Sequence, residues 1–254
     1  MTVRAVLWDV DDTLFDYRTA DREGIAAHLA AEGLLAGFDG PDHALARWRE
    51  VTELHWGRFA AREVTFEEHR RDRVRTFTGR DDLDDAAADA WFDRYFAHYE
   101  ASWALFPDFL PALEALVPSH RHAVLSNSSL LVQERKLRRL GVLDRFEAVL
   151  CAAELGVSKP EAGAFHAACD ALGLPPGQVA YVGDHPEIDG RGAAEAGLLS
   201  VWIDRHGEEP PGEEGERAWR RIRSLAELPG VLGAPGAPRR PGAESRFGAR
   251  STFG

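Results

Sequence analysis

Hydrophobic positions follow two different rhythms along this chain. Residues 3–8 form a short apolar run that stops at a group of aspartates, which is typical of a buried strand whose carboxyl end opens into a loop. Beyond residue 107, strand-like and helix-like patterns alternate: helices are predicted at 109–116, 130–140, 162–172 and 190–196, and strands at 122–126, 148–151, 179–182 and 200–203. This alternation predicts an α/β fold, a parallel sheet with helices on both faces.

The stretch 19–102 has a different character. Alanine, glutamate, arginine and aromatic residues recur there at helical spacing, and no strand pattern is present. A capping box at Thr65-Phe66-Glu67-Glu68 and breaks at 37–41 and 79–84 divide it into about four helices. We therefore predict an α/β core from 1–16 and 104–232, and an all-helical insertion over 17–103. Sites in such cores lie outside the carboxyl ends of the strands, so the insertion is expected to cover the site.

Composition narrows the class of protein. The 254 residues are 44% hydrophobic and 28% charged, enough for one large domain or a main domain with a smaller one. A formal net charge of -12 disfavours nucleic acid or an anionic membrane as a partner. No apolar run approaches the length of a membrane span and no signal peptide is evident, so a cytoplasmic location is expected.

Two smaller features complete the organisation. Residues 233–254 are rich in glycine, proline and arginine without hydrophobic periodicity, and we predict a disordered tail. Cys151 and Cys169 are too few for a disulfide scaffold and lie in core-like segments, so both are expected to be buried, reduced thiols.

Polar residues gather where predicted strands end. Asp9 and Asp11 follow the first strand, and their spacing places both on one side of an extended segment. Ser126-Asn127-Ser128-Ser129 ends another strand and leads into a helix, where hydroxyl and backbone N–H donors favour an anion. Taken singly, the first segment is equally typical of a turn and the second of a helix cap.

Two further segments extend the pattern. Pro160 fits the first turn of the helix that follows, which leaves Lys159 extended before a helix start, where a cation opposes the macrodipole unless an anion lies between. Asp184 and Asp189 follow the strand 179–182 and offer the oxygen ligands that magnesium requires. An acid pair, a hydroxyl, a lysine and a second acid pair together indicate one phosphoryl-transfer site, with Ser126, Asn127 and Lys159 binding phosphate.

These four motifs, at 9–13, Ser126, Lys159 and 183–189, resemble those of the haloacid dehalogenase-like hydrolase superfamily over the chain to about Leu232. The resemblance implies a Rossmann-like, doubly wound core with a helical cap inserted after the first motif. It also implies that Asp9 attacks phosphorus, and that Asp11 protonates the leaving oxygen and then activates water. The implied Mg²⁺ ligands are Asp9, the Asp11 main-chain carbonyl and Asp184, with Asp189 binding directly or orienting the others.

Physical chemistry agrees with those roles. A carboxylate nucleophile splits a difficult displacement into two easier steps, but two anions approach only if cations and donors compensate the charge. Mg²⁺, Lys159 and the Ser126 hydroxyl would supply that compensation. Two positions depart from the usual pattern: Asp12 replaces a frequent glycine, and His185 replaces a frequent small hydroxyl residue.

The run 8–16 looks like the branch that contains pyrimidine 5′-nucleotidases, which predicts a small phosphorylated metabolite as substrate. Candidates for contacting the leaving group are Arg18, Trp48, Trp56, Arg58 and Phe59, although helix packing explains the aromatic residues equally well. A dehalogenase needs no second acid, so Asp11 argues against it. A sugar phosphomutase, a non-catalytic binding protein, and a monomeric or homodimeric state all stay open.

Overall fold

The structure is a computed structural model that describes residues 2–61, 63–207 and 219–233. The described residues of Met1–Asp9, Pro107–Leu130 and Arg145–Gly254 form one compact unit, called here the sheet unit. Those of Val10–Phe106 and Leu131–Asp144 form a second, the helical unit. Apart from Gly233, the predicted tail at 233–254 lies outside the described residues.

The predicted parallel α/β core is confirmed. Six strands form one sheet in the order β3-β2-β1-β4-β5-β6, and every pairing is parallel. The strands are β1 Ala5–Trp8, β2 Arg121–Ser126, β3 Val149–Cys151, β4 Val179–Gly183, β5 Leu199–Ile203 and β6 Arg220–Ile222. Each predicted strand is present within two residues of its expected bounds. The edge strand β6 was not predicted, because its sequence Arg-Arg-Ile has no apolar alternation.

Ten α-helices occur in the described residues. They are α1 Tyr17–Ala31, α2 Pro41–Ala60, α3 Phe66–Thr78, α4 Asp85–Ala101, α5 Phe109–Leu116, α6 Leu130–Arg139, α7 Ala152–Leu155, α8 Ala162–Leu172, α9 Gly192–Glu195 and α10 Leu228–Leu232. One turn of π-helix, Pro186–Arg191, runs directly into α9 and occupies part of the predicted helix at 190–196. None of the described helices is long and apolar enough to cross a membrane.

Helices cover both faces of the sheet. Consecutive strand residues point to opposite faces, and Leu7 lies in a buried cluster with Phe165 of α8 and Tyr181 of β4. Those two rings meet edge to face with their centroids 5.1 Å apart. On the other face, Trp8 meets Phe109 of α5 edge to face at 5.5 Å. Because both faces are buried, the strands read as nearly continuous apolar runs rather than alternating ones.

The helical unit contains the four helices predicted for the insertion. Helix α1 packs against α2 and α4, and α3 packs against α2 and α4. The capping box is confirmed, because Thr65 Oγ1 accepts from the Glu68 N–H at 3.2 Å while the Thr65 N–H donates to Glu68 Oε2 at 2.8 Å. The interior is aromatic, formed by Trp48, Phe77, Trp91, Phe92, Tyr95 and Tyr99. The predicted insertion, 17–103, falls within this unit, which also takes in 10–16, 104–106 and 131–144. Its role as a cap stays a prediction.

One local prediction was wrong. Helix α8 begins at Ala162 with Glu161 as its N-cap, so Pro160 lies before the helix rather than in its first turn. The peptide bond between Lys159 and Pro160 is cis. A Cβ added to Gly192 would stand 2.9 Å from Pro160 Cβ, so the proline ring packs directly against the backbone at the start of α9. No local sequence pattern reveals this tertiary contact.

Candidate active site

Three adjacent strands of the sheet unit deliver predicted site residues to one edge. Ser126 is the last residue of β2, Asp9 follows β1, and Asp184 follows β4. The Asp9 N–H donates to the Val182 carbonyl at 2.9 Å, which extends the β1–β4 ladder by one residue and fixes the Asp9 backbone. Since β2, β1 and β4 are neighbours and parallel, their carboxyl ends share one edge of the sheet.

A buried lysine joins two of the carboxylates. Lys159 Nζ donates to Asp9 Oδ1 at 2.7 Å and to Asp189 Oδ1 at 2.9 Å. It also donates to the Tyr181 hydroxyl at 2.6 Å, and that hydroxyl donates to Asp189 Oδ1 at 2.9 Å. The side chains of Asp9, Lys159 and Asp189 are each less than one-tenth exposed. The structure therefore brings together three predicted site residues, Asp9, Lys159 and Asp189, that lie far apart in the chain.

The charges in this cluster stabilise one another. Burial by itself would lower the pKa of Lys159, but the adjacent charges of Asp189 and Asp9 and their hydrogen bonds raise it above its usual value. The ammonium therefore stays charged. Burial, followed by the charges of Asp189 and Asp9, also raises the pKa of Tyr181 well above that of an exposed tyrosine. That phenol is accordingly a neutral hydrogen-bonding group.

Asp189 occupies a space that only a glycine leaves open. A Cβ added to Gly183 would stand 2.4 Å from Asp189 Cγ, closer than any real contact. Asp189 Oδ2 accepts from the His185 N–H at 3.0 Å. His185 Nδ1 in turn accepts from the N–H groups of Glu187 and Ile188, at 3.3 and 3.2 Å, and so caps the π-helical turn. His185 thus has a structural role that the sequence did not specify.

The carboxylates of Asp9, Asp184 and Asp189 fit a divalent cation. Each offers one oxygen, and the three oxygens lie within 4.8 Å of one another. Three hard anionic donors suit Mg²⁺ or a similar ion. Asp184 is half-buried, and its main-chain carbonyl accepts from Trp202 Nε1 at 2.7 Å, which holds the loop after β4 against β5.

The predicted phosphate-binding residues divide into two kinds. Ser126 is buried at the tip of β2. The Asn127 amide engages the Lys159 backbone in both directions, because its Oδ1 accepts from the Lys159 N–H and its Nδ2 donates to the Lys159 carbonyl, each at 2.8 Å. The Asn127 side chain therefore holds the backbone of Lys159 in place, and phosphate binding by Ser126, Asn127 and Lys159 stays a prediction.

Asp11, the second acid of the first motif, belongs to the helical unit. Its Oδ2 accepts from Gln133 Nε2 at 3.0 Å and its Oδ1 from Lys136 Nζ. Asp12, next in the chain, has a positive φ of 54° and accepts from the Arg18 N–H at 3.0 Å. Asp tolerates this left-handed conformation, which explains its presence where relatives of the superfamily often have glycine.

Sequence reasoning missed three polar residues that contact the predicted acids: Tyr181, Gln133 and Lys136. Tyr181 was counted as one apolar position of a buried strand, although a buried phenol needs a hydrogen-bond partner. Gln133 and Lys136 share the buried face of α6 with Leu137. Polar residues at i and i+3 on the apolar stripe of a short helix were the available signal.

The five residues proposed to contact the leaving group all have partners within the helical unit. Trp48 is fully buried and donates to the Tyr95 hydroxyl at 3.2 Å, which favours packing. Arg18 pairs with Asp12 at 3.3 Å, and Arg58 with Asp72 at 2.9 Å. The rings of Trp56 and Phe59 lie beside that of His69, and Trp56 is 40% exposed. Their predicted role in specificity stays a prediction.

Comparison with known proteins identifies a family and relatives named as phosphatases. Residues 3–197 match the family model of haloacid dehalogenase-like hydrolases. A phosphoserine phosphatase of Thermus thermophilus is 29% identical over 80% of this chain and 89% of its own length. A ribulose-1,5-bisphosphate 5-phosphatase of Halopiger xanaduensis is 31% identical, over 84% and 90%. A pyrimidine 5′-nucleotidase of Escherichia coli is 32% identical over 50% and 56%.

Solved structures share the fold. The HAD-hydrolase YfnB from Bacillus subtilis bound to magnesium superposes with a TM-score of 0.71 over 91% of this chain and 99% of its own, at 19% identity. A 2-haloacid dehalogenase from Pseudomonas syringae pv. Tomato superposes with a TM-score of 0.67 over 91% and 99%, at 26% identity. The fold is therefore shared with a protein described as a HAD-hydrolase and with one described as a 2-haloacid dehalogenase.

Proposed function

This chain belongs to the haloacid dehalogenase-like hydrolase family, and from that premise we propose that it is a Mg²⁺-dependent hydrolase of a small phosphate monoester, with Asp9 as the covalent nucleophile. Its relatives named above, each about 30% identical, are phosphatases and a nucleotidase. The metal and the covalent intermediate are proposed from the site itself, and the substrate class from these relatives.

The single observation that carries the proposal is the position of Lys159 between Asp9 and Asp189. A carboxylate attacking a phosphate meets strong repulsion, because both groups are anionic. The buried ammonium, 2.7 Å from Asp9 Oδ1, lowers that repulsion where the new bond would form. Its second bond, to Asp189 at 2.9 Å, and the Asn127 amide hold it there without rearrangement.

Asp9, Asp184 and Asp189 would hold the Mg²⁺ ion, together with the Asp11 main-chain carbonyl that the family resemblance adds. Bound there, the ion would neutralise charge that develops on the phosphoryl oxygens. The three acids outnumber the one buried ammonium, so a cation also balances the charge of the site. We infer that activity requires the metal.

The reaction proceeds in two balanced steps. An Asp9 carboxylate oxygen attacks phosphorus, the bond from phosphorus to the alcohol oxygen breaks, and Asp11 gives that oxygen a proton. Water then attacks the phosphorus of the aspartyl phosphate and passes a proton to Asp11, while the bond between phosphorus and Asp9 breaks. Inorganic phosphate leaves, and both acids return to their starting states.

A small metabolite is the proposed substrate, for example a nucleotide, a sugar phosphate or a phosphorylated amino acid. The relatives named above act on molecules of that size, as their names state. We also propose a cytoplasmic location without a nucleic-acid or membrane partner, because the net charge of -12 repels both kinds of polyanion. A monomer and a homodimer are equally compatible with this proposal.

The test is release of inorganic phosphate from a panel of nucleotides, sugar phosphates and phosphorylated amino acids, with and without Mg²⁺. The wild type should turn over one class preferentially, and only with the metal. Asp9→Asn should abolish turnover, because an amide is a poor nucleophile. Asp170→Asn is the matched control, an exposed aspartate on α8 of the same unit, and should leave turnover unchanged. Unchanged turnover in Asp9→Asn would overturn the mechanism.

The same panel, extended by a 2-haloacid, separates the alternatives. A dehalogenase would release halide from a 2-haloacid and little phosphate, in contrast to the expected result. A phosphomutase would transfer the phosphoryl group from Asp9 to a hydroxyl of a monophosphorylated sugar and take the other phosphoryl group of the resulting bis-phosphorylated sugar back onto Asp9. Isomerised sugar phosphate would then replace free phosphate as the product.

A further inference from the structure

Two buried side chains of α6, those of Gln133 and Lys136, hydrogen-bond to the carboxylate of Asp11. Gln133 Nε2 donates to Oδ2 at 3.0 Å, and Lys136 Nζ donates to Oδ1. The two donors are three residues apart, one turn along the same face of the helix. Each carboxylate oxygen therefore has its own donor, and together they fix the rotation of the carboxylate as well as its position.

Lys136 is buried in unusual surroundings for a lysine. Its side chain is 3% exposed, and its ammonium lies 4.3 Å from the centre of the Phe15 ring and 5.9 Å from that of Trp103. Within the part of the chain that the structure describes, Asp11 is its ion-pair partner. Burying an ammonium is costly unless the charge is compensated, so packing alone would favour an apolar residue here.

These two hydrogen bonds leave the Asp11 side chain accessible to solvent. The Asp11 side chain is 36% exposed although both of its oxygens accept hydrogen bonds from α6. A carboxylate oxygen has more than one lone pair, so each can accept from Gln133 or Lys136 and still meet another group. This combination suits a group that must exchange a proton with a molecule from solution.

We propose that Gln133 and Lys136 are positioning residues that hold Asp11 in the orientation for proton transfer to the leaving oxygen. The inference rests on the proposed function, in which Asp11 is the general acid and base. Proton transfer depends steeply on geometry, so a carboxylate free to rotate would meet the leaving oxygen correctly in a small fraction of encounters. Loss of these hydrogen bonds should slow the steps in which Asp11 transfers a proton and change the other steps little.

The test compares two substrates in single-turnover release of the alcohol. One is the alkyl phosphate hydrolysed fastest in the panel above, whose leaving oxygen needs a proton. The other is 4-nitrophenyl phosphate, whose leaving group departs with little protonation. Lys136→Met should slow release from the alkyl phosphate on the order of 10- to 100-fold, and that from the aryl phosphate less than about threefold. Arg139→Met, which removes an exposed cation from the same helix, should change neither rate.

Equal losses on both substrates, or a rise in KM without a fall in the single-turnover rate, would overturn the proposal, because Lys136 would then stabilise the fold or bind substrate directly. If Lys136→Met does not fold, as judged by its melting transition, Gln133→Met removes the other donor and should give the same dependence on the leaving group. Failure of the proposed function is distinguishable, because the wild type would then release no phosphate or Asp9→Asn would remain active.

Discussion

Some buried polar side chains are hydrogen-bonded throughout and others not at all, and the two units each give an example. In the sheet unit, Lys159 and Tyr181 hydrogen-bond to each other and to the carboxylates around them. In the helical unit, His28 and His69 are buried with no hydrogen-bond partner for either ring nitrogen among the described residues. Burial lowers the pKa of both histidines to about 4, so they pack as neutral aromatic rings. Lys159 of the sheet unit keeps its charge beside two carboxylates, whereas these two histidines of the helical unit are neutral at pH 7.

The two buried lysines sharpen this contrast. Lys159 separates Asp9 and Asp189, whose side chains are 9% and 3% exposed. Lys136 meets Asp11, whose side chain is 36% exposed. If either ammonium is removed, the cost depends on whether water can reach the carboxylate that remains. The sheet unit should therefore suffer more than the helical unit from the same substitution.

The largest expected effect follows from that difference. Lys159→Met leaves two adjacent buried carboxylates without a cation and should lower the free energy of unfolding by about 3–5 kcal/mol. Phosphate release should fall on the order of 10²- to 10³-fold, as for the loss of one charge-stabilising group. Lys136→Met leaves one accessible carboxylate and should cost about 1–2 kcal/mol. Urea unfolding of both variants in metal-free buffer measures the difference. Equal losses of unfolding free energy in the two variants would mean that the exposure of the remaining carboxylate does not determine the cost.

Whether a part of the fold could be predicted from the sequence depends on whether its signal is local. The core was predictable because strands buried on both faces produce apolar runs, as at β1 and β4, and helices of ordinary length follow them. The start of α3 was predictable because a capping box is local. Strand β6 was not, because an edge strand reading Arg-Arg-Ile is defined by its neighbour β5. Pro160 was misplaced, since its contact with Gly192, far away in the chain, leaves no local signal.

The site divides in the same manner. Asp9, Lys159 and Asp189 were predictable because each follows a strand tip or precedes a helix, where charged residues need an explanation. Tyr181 and Lys136 were not, because they lie inside regular elements and their hydrogen bonds depend on which carboxylate faces them. A residue inside a helix or strand shows its partner only when the fold is known.

A smaller effect tests the fit of Asp189. Gly183→Ala places a methyl group 2.4 Å from Asp189 Cγ, so the carboxylate or the end of β4 must move. The free energy of unfolding should fall by about 1–3 kcal/mol, and phosphate release should fall with it. Gly57→Ala in α2 is the matched substitution in the helical unit, with nothing within 4 Å of the added Cβ. It should instead stabilise by about 0.5–1 kcal/mol, since alanine favours helix. Thermal melting measures both. A tolerated Gly183→Ala would show that Asp189 does not need that space.

The smallest effect compares one buried histidine from each unit. His122 in β2 accepts from Trp8 Nε1 at 3.1 Å, whereas His28 in α1 has no hydrogen-bond partner among the described residues. At pH 7, His28→Leu should therefore be neutral or stabilising by about 1 kcal/mol, because it removes unpaired polar atoms. His122→Leu should cost about 1–3 kcal/mol, because it leaves the buried Trp8 N–H unpaired. A loss in His28→Leu as large as that in His122→Leu would contradict the contrast between the units.

Acid provides the common reference for the two variants. Burial lowers the pKa of both His28 and His122 to about 4, while an unfolded histidine has a pKa of about 6.5. Between these values the unfolded chain binds more protons, so each histidine reduces stability as the pH falls through that window. Each leucine variant should gain about 1–2 kcal/mol relative to wild type between pH 7 and pH 5. Urea unfolding at the two pH values measures this gain. The remaining groups titrate alike in variant and wild type, so a gain in only one variant would mean that only the histidine replaced in it is neutral when buried.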